Sequence, residues 1–174
     1  MDKFRSHRQK RLSKKQEEAT AKDLGGWTTA GSGAAKFSGG GDVRKQGEMR
    51  AECKYTEKPF FLLKLDELTK IQLEAVRGGL ESPVLRIDFV NPRSSASEAY
   101  AVIPAVIPTN SDCRDQVLHT TDRKRVRLEK DALQKHLLEH DRAQIVFQKK
   151  KVRDAVYEII PWHRFLEWLK EETC

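Results

Sequence analysis

Residues 49–55 alternate in character, and that alternation constrains the chain more than any other stretch. Met49, Ala51, Cys53 and Tyr55 fall on one side; Arg50, Glu52 and Lys54 fall on the other. A period of two is that of an extended strand, where residues two apart share a face. The segment therefore predicts a strand that turns Cys53 and Tyr55 into packing and points Glu52 and Lys54 out together. A turn at Gln46-Gly47 precedes it and brings the chain from Asp42 back along the same edge. On this reading two carboxylates, Asp42 and Glu52, converge with the ammonium of Lys54.

Two carboxylates suit a hard divalent cation, typically Mg²⁺ (Mn²⁺ is also compatible) that retains several waters. A neighbouring lysine suits the orientation or deprotonation of such a water for attack on a phosphodiester, as in metal-assisted hydrolysis. A plainer reading stands beside each residue. Asp42 follows three glycines and would serve equally in a turn. Glu52 and Lys54 on a solvated strand face would form an ion pair of little consequence.

Periodicity organises the remainder as an α/β chain. Residues 1–12 read as a basic, mobile arm, followed by a helix from Ser13 to Leu24 with Ser13 as N-cap and Gln16 at the capping-box position. Gly25-Gly26 stop that helix, and the glycine-rich run from Trp27 to Gly41 reads as a loop. Leu65, Leu68, Ile71, Leu73 and Val76 lie at near-helical spacing over residues 65–77, where Gly78-Gly79 end the helix. Strands are expected at 84–90 and 99–103, while residues 104–124 show no clear period. A last helix runs over 161–172, with Pro161 in its first turn and Trp162, Phe165, Leu166, Trp168 and Leu169 on one face. Trp27, Trp162 and Trp168 are all expected in the core.

The last third appears as a second copy of the middle. FLLKLDELTK at 61–70 aligns with VRLEKDALQK at 126–135, RIDFV with QIVFQ, and YAVIP at 100–104 with YEIIP at 157–161. The second copy carries no Glu-x-Lys before its helix, where TTDRKRV stands. It is expected to extend the sheet by a strand–helix–strand–strand unit without a reactive centre.

Charge points to the partner. Across 174 residues the formal net charge is +7, concentrated in residues 1–22 and 123–153, and two basic zones around a more acidic middle suit a polyanion such as nucleic acid. Cys53, Cys113 and Cys174 have no paired spacing, so neither a disulfide framework nor a zinc site is indicated and a reducing, cytoplasmic setting is expected. AYAVIPAVIP is about half a membrane span and carries two prolines, so no membrane insertion is expected. His136 and His140, four apart on a helix, lack further ligands.

These motifs in this order resemble the PD-(D/E)xK nuclease superfamily, and within it the small Holliday-junction resolvases of phage and archaeal type. The likeness covers residues 13–104, the nuclease core, with 105–174 as a half-repeat extending the same domain. It implies a restriction-endonuclease-like mixed sheet flanked by helices. The family's helix glutamate falls on Glu17, with Glu18 the alternative, and its GSG on Gly31-Ser32-Gly33. Its metal-binding aspartate falls on Asp42, which here follows Gly instead of the family's Pro. Its second metal carboxylate falls on Glu52 and its lysine on Lys54, and the backbone carbonyl of Cys53 would add a metal ligand. Ser32, Lys14, Lys15, Lys36, Arg44, Lys64 and Lys70 are the candidate DNA contacts. The implied activity is a Mg²⁺-dependent endonuclease for branched DNA such as four-way junctions, working as a homodimer in a bacterial or phage-infected cell. A nuclease of other specificity, for restriction or repair, and a non-catalytic nucleic-acid-binding module are the alternatives.

Overall fold

A computed structural model describes residues 2–29, 42–94, 96–105, 116–148 and 154–172, with side chains from His7 onward. Ser32, Lys36 and the GSG run lie outside the described residues, as do Cys113 and Cys174.

The chain is α/β, and among the described residues a mixed sheet is flanked by four helices. In order its elements are α1 (Asp2–Leu24), β1 (Trp27–Thr28), β2 (Val43–Lys45), β3 (Met49–Thr56), β4 (Phe60–Lys64), α2 (Leu65–Arg77), β5 (Ser82–Val90) and β6 (Ser97–Pro104). There follow β7 (Val117–Thr121), β8 (Arg125–Glu129), α3 (Lys130–Glu139), β9 (Ala143–Phe147), β10 (Ala155–Pro161) and α4 (Trp162–Glu172). Eight strands form one sheet in the order β1-β2-β3-β5-β6-β10-β9-β7, and β4 pairs with β8 in a separate ribbon. No helix among the described residues is long and apolar enough to cross a membrane.

The expected repeat governs this architecture. β3 runs parallel to β5 and β7 runs parallel to β9, while β6 and β10 meet antiparallel between the two halves. At that seam Tyr157 lies opposite Pro104 and Pro161 opposite Tyr100. In the ribbon Phe61 lies opposite Leu128 and Leu63 opposite Val126. Equivalent positions thus exchange partners, as a two-fold relation demands. Side chains follow suit: Phe89 and Tyr100 meet edge to face at 5.9 Å and 83°, and their counterparts Phe147 and Tyr157 at 6.0 Å and 82°.

The halves also complete each other's helices. Neither α2 nor α3 has a side-chain cap. Instead the Leu65 N–H donates to the Lys124 carbonyl and the Lys130 N–H to the Pro59 carbonyl, both at 2.9 Å. These are two of the donors that a helix start leaves without an internal partner. A single core joins Leu63, Leu68, Ile71, Leu85 and Ile87 with Leu133, Ile145 and Phe147 from the other half. Each such fully buried aliphatic side chain contributes about 1.5–3 kcal/mol.

Three expectations change. α1 begins at Asp2, not Ser13, so the basic arm is helical; the Tyr55 hydroxyl donates to the Gln9 carbonyl at 3.2 Å and Arg8 pairs with Glu57 at 2.9 Å. On α2 the inward residues are Leu68, Ile71 and Ala75, whereas Leu73 and Val76 are exposed. Leu73 lies about 200° around the helix from Ile71, which puts it on the solvent side. Only Trp162 of the three tryptophans is buried; Trp27 and Trp168 are 49% and 41% exposed.

The β2–β3 hairpin is anchored from below by a buried acid. Glu81, just past α2, binds Arg44 Nε at 2.5 Å and Arg50 Nε at 2.8 Å, and Arg44 also donates to the Gly78 carbonyl at 2.8 Å. Gly78 is required here, because a Cβ would lie 2.4 Å from the Arg50 guanidinium. Burial works to raise the Glu81 carboxyl, but the hydrogen bonds and charges of both arginines hold it below its ordinary 4.5. With the folded value below the unfolded one, the stabilisation is complete above about pH 4.5 and is lost as pH falls through the folded value. Glu81→Gln should cost about 3 kcal/mol at neutral pH, since it leaves the buried Arg50 and the half-buried Arg44 without their counter-charge. Denaturant unfolding at a series of acid pH values should show the variant losing less stability with acid than the wild type. Parallel pH curves for the two proteins would contradict this account of the clamp.

Candidate active site

β2 begins at Val43, and antiparallel β3 runs past that end to Thr56. The two strands are in register as far as Val43 opposite Ala51, and the Asp42 N–H still donates to the Ala51 carbonyl at 2.9 Å. Beyond that point the side chain takes over from the ladder: Asp42 Oδ2 accepts the Cys53 N–H at 2.8 Å. Asp42 is buried, and this bond fixes its carboxylate against the middle of the Glu-Cys-Lys triplet.

The parallel register puts Glu52 beside Leu85 and Lys54 beside Ile87, whose side chains belong to the core on the α2 side. Glu52 and Lys54 therefore share that face, as the alternation requires, with Nζ 2.5 Å from Oε1. Cys53 lies beside Arg86 on the opposite face, under α1. Its Sγ donates to Thr20 Oγ1 at 3.3 Å. Burial pushes the Cys53 thiol up to about 12; the Thr20 hydrogen bond opposes this, and the negative charge of Asp42 adds to it.

α1 completes the group. Gln16, buried, donates from Nε2 to the Lys54 carbonyl at 2.8 Å and ties the helix to the strand. The next residue, Glu17, is half-buried and accepts a hydrogen bond from Ser13 Oγ at 2.9 Å. Its carboxyl is raised first by burial, against the Ser13 bond, and further by the charges of Asp42 and Glu52, with Lys54 opposing. Glu17 thus shares the electrostatic environment of the other three. Glu18 is exposed and lies 3.7 Å from Lys14 across one helical turn.

Lys54 is also displaced from its ordinary value. Burial works to lower it, but the hydrogen bond and charge of Glu52, with Asp42 and Glu67, carry it upward. It is therefore an ammonium at neutral pH, suited to orienting a water or neutralising charge and not to removing a proton.

The candidate DNA contacts separate into two kinds. Lys14 and Lys15 are exposed on α1, and Lys14 borders a groove of about 380 Å³ shared with Lys10, Ser13, Glu17, Glu18, Thr28 and Thr29. Lys64 and Lys70 are exposed near α2, paired with Glu67 at 3.3 Å and Glu74 at 3.6 Å. Arg44 differs from these lysines in being engaged by the Glu81 carboxylate and the Gly78 carbonyl. Sequence reasoning missed Gln16 as a buried tie, Lys10 on the groove and Glu67 near Lys54. Lys10 was legible from its four-residue spacing to Lys14; the other two depend on tertiary contacts.

Among the described residues the second half has no equivalent centre. Its strand β7 aligns against β9 as β3 does against β5, so the positions matching Cys53 and Lys54 are Val117 and, past a bulge, His119. TTDRKRV matches the turn after β3 instead.

As to a metal, the donor chemistry fits a hard divalent cation. Glu17, Asp42 and Glu52 bring three carboxylates against one ammonium, and their mutual repulsion favours a cation among them. No group of three His, Cys, Asp or Glu side chains among the described residues is spaced to chelate an ion by itself.

No family model matches this chain, and no curated protein is significantly similar to it.

The Cys53 thiol should resist alkylation in the native protein at neutral pH and react on unfolding, as read by peptide mass spectrometry with iodoacetamide. Modification of native Cys53 at the rate of a free thiol would contradict its burial under Thr20.

Proposed function

We propose that the chain is a Mg²⁺-dependent endonuclease acting on branched DNA, with a restriction-endonuclease-like core resembling that of junction resolvases. The observation that carries this reading is the meeting of Asp42, Glu52, Lys54 and Glu17 where β3 outruns β2. Asp42 and Glu52 would hold the ion, with the Cys53 carbonyl beside them. A bound divalent ion supplies Lewis-acid polarisation of the scissile phosphate and acidifies a coordinated water.

The chain's own groups divide the remaining work. Lys54, kept as an ammonium, orients the attacking water and offsets the charge that develops on the phosphorus-bound oxygens. Glu17, whose carboxyl is raised by burial and by its acidic neighbours, is suited to holding a proton from that water. The Lys10–Lys14 groove beside Glu17 offers cations to the flanking phosphates, which position DNA without reading its sequence. Among the described residues each chain carries one such centre, so paired cuts across a junction call for two chains related by a two-fold axis.

Lys54→Ala and Asp42→Asn should each lower cleavage of a labelled four-way junction in Mg²⁺ by about 10²-fold or more, and EDTA should abolish it. Both variants should retain junction binding, since Asn keeps a carbonyl oxygen for the Cys53 N–H and Lys54 is partly exposed. Binding by the wild type without cleavage of junction or linear duplex under any divalent ion would remove the enzymatic reading. Cleavage of linear duplex at fixed sites in preference to junctions would replace the branched substrate with a sequence-defined one.

A further inference from the structure

The β4–β8 ribbon is made by both halves of the repeat and lies on the axis between them, with Leu62 opposite Arg127 at its centre. Its inward residues Leu63, Val126 and Leu128 are buried in the shared core. Its outward face is exposed and mostly basic, carrying Leu62, Lys64, Arg125, Arg127 and Glu129. Lys58 and Arg123 in the adjoining turns are exposed as well. The Phe60 ring lies between two cations, with Arg127 Cζ 3.8 Å and Lys58 Nζ 5.5 Å from its centroid.

Two features suit this face to phosphates. Arg123, Arg125 and Lys58 have no carboxylate at ion-pair distance among the described residues. The other cations have exposed partners: Arg127 pairs with Glu129 at 2.5 Å, with side chains 57% and 46% exposed. Exposed pairs of this sort hold together weakly, so a phosphate displaces the carboxylate at little cost. A planar guanidinium stacked on Phe60 is also pre-oriented for bidentate phosphate contact.

The ribbon continues from the candidate active site. The Thr56 hydroxyl at the end of β3 donates to the Phe60 carbonyl at 3.2 Å. Lys54 feels the charge of Glu67, Glu67 pairs with Lys64, and Lys64 lies opposite Arg125 in the ribbon. Cations thus extend from the catalytic strand across the axis into the half that has no reactive centre.

We propose that the outward face of the β4–β8 ribbon is a docking platform for a DNA duplex arm, held by its phosphates through Lys58, Lys64, Arg123, Arg125 and Arg127. This rests on the nuclease reading for its ligand but not for its test. The second half then has a task of its own: it supplies three of the five cations and holds DNA that the first half cuts.

The test measures equilibrium binding of the full chain to labelled four-way junction in EDTA, where no cleavage occurs, across salt from about 50 to about 200 mM. The triple variant Arg123→Ala/Arg125→Ala/Arg127→Ala should bind roughly tenfold or more weakly, and its log–log salt slope should fall by about 2–3, near 0.9 per lost phosphate contact. Arg123→Lys/Arg125→Lys/Arg127→Lys, which keeps the charge, should recover most of the slope, and unaltered thermal unfolding of both variants shows that the fold is intact. Wild-type affinity and slope in the alanine variant would overturn the platform, whatever Lys54→Ala does to cleavage. Loss of affinity for anionic phosphatidylserine vesicles but not for DNA would overturn it in favour of a membrane surface. A platform that binds as expected on a protein that never cleaves would leave the docking surface standing and end the nuclease reading alone.

Discussion

Everything at the candidate site depends on the hydrogen bond from the Cys53 N–H to the Asp42 carboxylate. A strand that outruns its neighbour leaves backbone groups to be satisfied, and a buried donor without a partner costs about 1–3 kcal/mol. Asp42 meets that need with a charged acceptor, which binds more strongly than a neutral one. The same bond that completes the sheet edge therefore fixes a carboxylate beside Glu52. Fold stability and site geometry are coupled in one contact, and the coupling explains why a carboxylate can remain buried there.

The duplicated halves support this arrangement from the other side. Glu52 and Lys54 share a face because they are two apart on β3, and β5 beside them is held by a core to which both halves contribute. Because each helix start is completed by the other half's backbone, neither half closes without its counterpart. What differs between them is the outer edge. β3 is flanked by β2 and crossed by α1, which bring Asp42 and Glu17; β7 aligns Val117 and His119 at the matching places. One copy of a symmetric scaffold carries the candidate site, and the other carries exposed arginines on the shared ribbon.

Local periodicity made much of this legible. The strand 49–55, the helix 65–77 and the repeat were all readable because side-chain alternation and amphipathic spacing are set by neighbours in sequence. The repeat even contained the seam, since Tyr100/Tyr157 and Pro104/Pro161 are the residues that exchange partners across it. Long-range contacts left no such trace. The early start of α1 rests on Gln9 meeting Tyr55 and Arg8 meeting Glu57, and the first turns carry no apolar stripe. β7 is a short edge strand with three polar residues in succession and a bulge, so no period survives in it. Arg44 read as a phosphate ligand because its partner, Glu81, lies far along the chain and is buried. Trp27 was placed inside on residue type alone, which is the weakest ground for a residue with a polar edge.

On the proposed nuclease reading, the acidic site and the basic ribbon would have different tasks. Three carboxylates around one ammonium make the site itself net negative, which attracts a divalent cation and repels a phosphodiester. A nuclease built only of that pocket would hold its metal and turn away its substrate. The ribbon supplies the opposing field through Lys64, Arg125 and Arg127, which begin next to Glu67, itself within electrostatic reach of Lys54. Screening limits such fields to about 10 Å at 0.1 M salt, so the cations must adjoin the site in order to act on a strand entering it. Placing them on a ribbon that both halves share meets that demand without putting a lysine or arginine where it would compete for the ion.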